Sequence, residues 1–377
     1  MAIGIRRERR VALALTAVDD AGVTPEPLRF AHETLPQRVR FAPGDAGEAV
    51  AEEVRRLGGT RVMAIATNPH RAAPVLAGLS VAVLHSDVVM HVPLAVAERA
   101  RSVAAEYDAD VVVSVGGGST TGLAKAVALS TGLPVVAVPT TYSGSEATDV
   151  WGLTEDGRKT TGVDPRVLPR AIVYDARLML GLPVETSVAS GLNALAHCVD
   201  SMWGPRSDPI DRALALEGIR ALCAGLPRVV ADPRGLEGRE QTLYGAYLAA
   251  VAFASAGSGL HHKICHVLGG RFDLPHAETH AVVLPYVLAL NAPAVPELDA
   301  RMAQAFGADS ALAGLEALRR EVGAPRSLAA LGLAERDLAS AVAPILEAAP
   351  ADNPVPVTAE VVETLLRHAY EGTGPDA

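Results

Sequence analysis

The chain has 377 residues with 33 basic and 43 acidic side chains, and its formal net charge of −10 argues against nucleic acid as the main partner. A hydrophobic content of 49% can fill a core and excludes global disorder, while three cysteines without a CxxC pair exclude a disulfide framework. No apolar run reaches the roughly 18 to 20 residues of a membrane helix, so no membrane partner and a reducing, cytoplasmic setting are expected.

Arg6-Arg7-Glu8-Arg9-Arg10 precedes a short apolar run, but Asp19-Asp20 ends that run and no small-residue cleavage site follows. Residues 1–27 therefore read as an N-terminal extension rather than a secretory signal. Residues 28–41 hold two apolar-alternating stretches around Leu35-Pro36, which predicts a hairpin. A βα rhythm follows. Helical spacing is expected over residues 47–57, 69–79, 93–107 and 119–130, and strands over 61–66, 81–84, 109–115, 134–138 and 171–174. Alternation of this kind implies a parallel sheet wound on both faces.

The pattern changes near Leu182-Pro183. Beyond it the periodicity is helical, clearest over residues 188–202, 214–226, 241–256, 311–322 and 358–369, with a Pro-rich loop over 349–357. The expected fold class is an α/β dinucleotide-binding domain over residues 28–181 followed by an all-α substrate and catalytic domain over 182–377, with a cleft between them.

Two strand ends carry candidate cofactor residues. Gly116-Gly117-Gly118-Ser119 follows an apolar strand and opens a helix, which suits a phosphate: glycines permit close backbone approach, and the helix start offers free N–H groups. Thr140, Thr141, Tyr142, Ser143 and Ser145 crowd hydroxyls at the end of the next strand, where open parallel sheets bind ligands.

Five of the 11 histidines fall between His261 and His280. His262 and His266 are spaced i, i+4, as are His276 and His280, and upstream Asn193 and His197. Such pairs share a helix face and can converge on a metal or a general-acid cluster. Cys198 and Cys265 beside them read as small buried residues.

These motifs, in this order, resemble the iron-containing (group III) alcohol dehydrogenase superfamily, which has the dehydroquinate-synthase-like fold. The residues that carry the resemblance are Gly116 to Ser119, Pro139-Thr140-Thr141 through Glu146, Gly191 to His197, Gly259 to His266, and Pro275-His276. It covers residues 28–370. In metal-using members an Asp and three His hold the ion, and those positions correspond here to Asn193, His197, His262 and His276. A neutral amide replaces the anionic ligand, which weakens a divalent site. That departure resembles the maleylacetate reductase subgroup, as do Leu35 to Val39, Ser119 to Lys125 and His261 to His266.

The resemblance implies NADH- or NADPH-dependent reduction of 2-maleylacetate to 3-oxoadipate in aromatic-compound degradation, by a homodimer and without metal. It implies His266 as proton donor beside His197, His262 and His276. Lys263, Arg271, Tyr142 and Asn193 are implied as substrate contacts for a dicarboxylate oxo-acid, with His197, His262 and His276 forming a polar or partly protonated pocket. Cofactor contacts fall on Gly116, Gly117, Gly118, Ser119, Thr140, Thr141, Ser143 and Lys159. Thr67 stands where NAD-specific relatives often carry an acid, so NADPH is admitted too. A metal-dependent alcohol dehydrogenase on another small oxo compound, or a reductase of a related unsaturated oxo-acid, would carry similar motifs. Lys125, Lys159 and Lys263 are the chain's three lysines against 30 arginines, which reads first as compositional bias and, as the alternative, flags positions where a compact ammonium is needed.

Overall fold

The computed structural model describes residues 28–155 and 158–374, so the expected extension over residues 1–27 lies outside it. Residues from His32 onward form one unit. Its first half alternates strands and helices: β1 (Arg38–Phe41), α1 (Ala46–Arg56), β2 (Val62–Ile65), α2 (Pro69–Leu76), β3 (Val81–His85), α3 (Leu94–Glu106), β4 (Val111–Gly116), α4 (Gly118–Thr131) and β5 (Val135–Pro139). β6 (Val150–Glu155) and β7 (Arg158–Val163) form an antiparallel pair, and β8 (Ala171–Tyr174) closes the series.

Six strands make one parallel sheet in the order β1-β8-β5-β4-β2-β3. Successive side chains of a strand point to opposite faces. Val62, Ala64, Val111 and Val113 accordingly pack with α1 and α2, whereas Met63, Ile65 and Val112 pack with α3 and α4. Covering both faces is what makes β4 read as an unbroken apolar run.

The hairpin expected over residues 28–41 does not form. Residues 28–37 contain no strand, and β1 pairs in parallel with β8. The Gln37 amide instead bonds the carbonyls of Glu146 and Pro169, at 2.8 and 2.9 Å, and so anchors the segment to the sheet. The β6–β7 hairpin was not anticipated, although Asp156-Gly157 between its strands is a residue pair favoured in two-residue hairpin loops.

The second half is helical throughout its described residues: α5 (Val184–Trp203), α6 (Pro209–Ala231), α7 (Leu236–Ala256), α8 (Leu260–Phe272), α9 (His276–Asn291), α10 (Pro296–Phe306), α11 (Ala311–Glu321), α12 (Leu338–Ala348) and α13 (Ala359–Glu371). Residues of α5, α6 and α7 share one apolar core with Ile172 and Tyr174 of β8, so the helices dock against the sheet. α8, α9, α12 and α13 form a second core.

Candidate active site

The strand order switches between β2 and β4, which is where ligands bind in folds of this kind. Thr67 is exposed just beyond β2, and the glycine loop follows β4. Gly117 caps α4 in an extended conformation, leaving the first-turn N–H groups available to an anion.

These glycines are needed for a second reason. A Cβ on Gly116 would collide with the Thr120 side chain, one on Gly117 would lie 2.9 Å from Thr141 Cγ2, and one on Gly118 would lie 3.0 Å from Ser143 Oγ. The Thr140 amide donates to the Gly116 carbonyl at 3.0 Å. The glycine loop and the hydroxyl loop are therefore packed on each other, bringing Gly116 to Ser119 beside Thr140, Thr141 and Ser143.

Lys125 does not reach a phosphate and is not on the surface. It is buried and donates to the Thr148 carbonyl at 2.8 Å, Thr148 Oγ1 at 3.0 Å and the Val150 carbonyl at 2.8 Å. Burial lowers its pKa to about 7, opposed by the charges of Glu146 and Asp149. Three acceptors use all three ammonium protons, which favours the charged form. Lys159 lies opposite Thr154 in the β6–β7 pair, and its side chain lies outside the described residues.

The histidines converge from three helices. α5 presents Asn193 and His197, α8 presents His261, His262 and His266, and α9 begins at His276 and carries His280. The rings of His197 and His262 stack at 4.9 Å between centroids, and His262 lies 4.7 Å from His280. His276 lies 4.5 Å from His280, and His266 stacks with His276 at 6.3 Å. His197, His261, His262 and His280 are buried, while His266 and His276 are exposed.

Burial lowers the pKa of His197 and His261 to about 3, helped by the neighbouring histidines, and carries His262 and His280 well below the ordinary value. The expected partly protonated pocket is thus corrected at His197 and His262, which are neutral at neutral pH. Burial removes the water that would solvate an imidazolium, and the neighbouring rings add repulsion.

Two of the expected substrate contacts are also corrected. Tyr142 is fully buried in the core beneath the helices, where an apolar ring gains most, and its hydroxyl is pushed up to about 12 by that burial. Arg271 is exposed nine residues after His262, about half a turn around α8, and its guanidinium lies 6.0 Å from the Phe272 ring. Lys263 is half-buried. Burial raises the Asp200 pKa to about 7, opposed by backbone N–H groups of His262, His261 and Gly259 and by the Lys263 charge.

Sequence reasoning missed Asp200 and Phe253. Asp200 continues the Asn193–His197 face of α5 at i+7, so the periodicity was available. It is fully buried, and its Oδ2 lies within hydrogen-bond distance of His262 Nδ1, at 2.6 Å. Phe253, at the end of α7, lies 4.7 Å from His197 and 4.2 Å from His262. No local pattern marked it, because its role depends on how α7 meets α8.

Asn193 Oδ1, His197 Nδ1 and His262 Nε2 are buried without a hydrogen-bond partner. Asn193, His197, His262 and His276 offer a cation no anionic donor. Among the described residues, the sets whose ligand atoms gather within 4.8 Å are His261/Cys265/His280 and His32/Asp208/Asp211. His197, His262 and His276 are not among those sets. The set thus lacks the charged oxygen that metal-using members supply, which weakens the hold on a divalent ion there.

The iron-containing alcohol dehydrogenase family matches residues 36–176, and the C-terminal region of the Fe-containing alcohol dehydrogenase family matches residues 187–370. The chain is 46% identical to the maleylacetate reductase of Sphingobium indicum over 354 residues, covering 92% of this chain and 99% of that one. It is 58% identical to a solved iron-containing alcohol dehydrogenase from Corynebacterium glutamicum, with a TM-score of 0.91 and coverage of 93% and 99%. The fold extends to sulfoacetaldehyde reductase from Bifidobacterium kashiwanohense, solved in complex with NAD+, at 22% identity and a TM-score of 0.83 over 91% and 99%. The expected dehydroquinate-synthase-like arrangement, a parallel sheet followed by helices, is the one found.

Proposed function

The chain belongs to the iron-containing alcohol dehydrogenase family, and from that premise we propose that it reduces 2-maleylacetate to 3-oxoadipate with NADH or NADPH, independently of metal. It is an oxidoreductase. The observation that carries the metal-free reading is Asn193, a neutral amide in the anionic ligand's position.

The dinucleotide is assigned to residues 28–181, with its pyrophosphate at Gly116 to Ser119 and further contacts from Thr67, Thr140, Thr141, Ser143 and Lys159. When bound, it supplies the hydride that adds to the alkene carbon conjugated with the substrate ketone. Residues 182–377 supply the chemistry. Negative charge building on the ketone oxygen is met by His266, whose imidazole is exposed, with His276 beside it. Lys263 is assigned to a substrate carboxylate. Phe253 and the stacked rings of His197 and His262 form an apolar wall that limits water. Because Thr67 brings no carboxylate to the ribose, neither NADH nor NADPH is rejected by charge. A cytoplasmic homodimer completes the proposal.

The test is oxidation of NADH and NADPH, followed by absorbance, with maleylacetate and with simple aldehydes. Turnover of maleylacetate in clear preference to the aldehydes is expected. No turnover of maleylacetate, or preference for an aldehyde, overturns the assignment.

A further inference from the structure

We infer that Asp200 is a positioning residue for the reaction, fixing His262 in one ring orientation and one tautomer so that the Nε2 lone pair faces the site. Asp200 Oδ2 accepts the Gly259 amide at 3.1 Å and the His262 amide at 3.2 Å, and lies 2.6 Å from His262 Nδ1. The two backbone N–H groups occupy the lone pairs of Oδ2, so this oxygen has no room for a proton of its own. The hydrogen between Asp200 and His262 therefore sits on Nδ1. A neutral imidazole carries one proton, which leaves Nε2 as an acceptor.

Packing supports the same orientation. His197 stacks on one neighbouring ring face with an interplanar angle of 13°, and Phe253 is tilted against the ring at 35°. The carboxylate is itself tightly held, since a Cβ on Gly259 would lie 2.6 Å from Asp200 Oδ1. Gly259 caps α8 and His262 is in its first turn, so one carboxylate both anchors the start of α8 and orients the side chain that the turn carries. Nε2 is buried and has no partner in the protein. As an acceptor it cannot donate to the developing oxyanion, which leaves that task to His266 and makes His262 an orienting contact.

Histidine-selective 15N NMR of the wild-type protein tests the tautomer directly, with His262→Gln identifying the resonances. The expected spectrum has Nδ1 protonated and Nε2 unprotonated at neutral pH. In Asp200→Ala the His262 signals should become a mixture of tautomers. Its kcat should fall about 10- to 100-fold, the usual cost of losing such a supporting partner, with KM for NADH unchanged. Asp200→Asn keeps an oxygen for all three donors, so it should retain the wild-type tautomer and most of kcat. A protonated Nε2 in the wild type overturns the proposal, as does an Asp200→Ala protein with wild-type spectrum and kcat. The kinetic arm rests on the proposed reaction, while the spectrum does not. Absence of maleylacetate turnover with the expected spectrum therefore condemns the substrate reading alone.

Discussion

The glycine loop and the histidine centre solve recognition in opposite ways. At the loop the working groups are backbone N–H groups and small hydroxyls, and their precision comes from two strand ends in van der Waals contact through Gly117 and Thr141. At the centre the working groups are side chains from three helices, held by one another's rings and by Asp200. A backbone site depends on space, so it fails when volume is added. A side-chain site depends on neutrality and orientation, so it fails when a proton is moved or a ring is released.

The sharpest contrast comes from one substitution in each region. His266→Gln should reduce kcat by about 100- to 10,000-fold while leaving the NADH dissociation constant unchanged, because only proton transfer is lost. Gly117→Val should do the reverse. Its first side-chain carbon already meets Thr141 at 2.9 Å, so NADH binding, read by fluorescence titration, should be lost together with about 1 to 3 kcal/mol of stability. Equal losses of affinity and kcat in both variants would erase the division.

Acid separates the regions next. His197 and His261 have folded-state pKa values of about 3, against about 6.5 when unfolded. Between those values the unfolded chain binds protons that the folded chain refuses. Stability is full above about pH 6.5 and falls as pH drops toward 3, by up to about 1.4 kcal/mol per ring per pH unit. Hydrogen exchange at pH 5.5 against pH 7.5, corrected for intrinsic rates, should show α8 and α9 loosened more than β4 and α4. Uniform exchange across the four elements would contradict the account.

The smallest effect is expected from Lys125→Arg. A planar guanidinium cannot reproduce three donors from one buried nitrogen to Thr148 and Val150. The strain should shift the hydroxyl loop, raising KM for NADH about tenfold through a loss near 1.4 kcal/mol, with kcat little changed. Wild-type constants in this variant would return Lys125 to a compositional accident.

Much of this was legible in the sequence for stated reasons. The buried parallel strands announced themselves as apolar runs, and the i, i+4 pairs at Asn193/His197 and His262/His266 placed their residues on common helix faces. Three features were not legible. The pairing of β1 with β8 joins segments more than 130 positions apart, so the local alternation that suggested a hairpin was misleading. Tyr142 belongs to a motif rich in half-buried hydroxyls, yet the descent of the helical core onto the loop buries it fully. The charge state of the histidines depends on burial from all sides, which spacing along one helix does not encode.

The central claim is that Asn193 and neutral imidazoles carry the reaction where relatives of the metal-using pattern employ an ion. Metal analysis of protein purified without added metal, with turnover of maleylacetate then measured in the presence of a strong chelator, tests it most directly. The account predicts substoichiometric metal and undiminished turnover. Stoichiometric metal together with activity abolished by the chelator and restored by a divalent ion would contradict it.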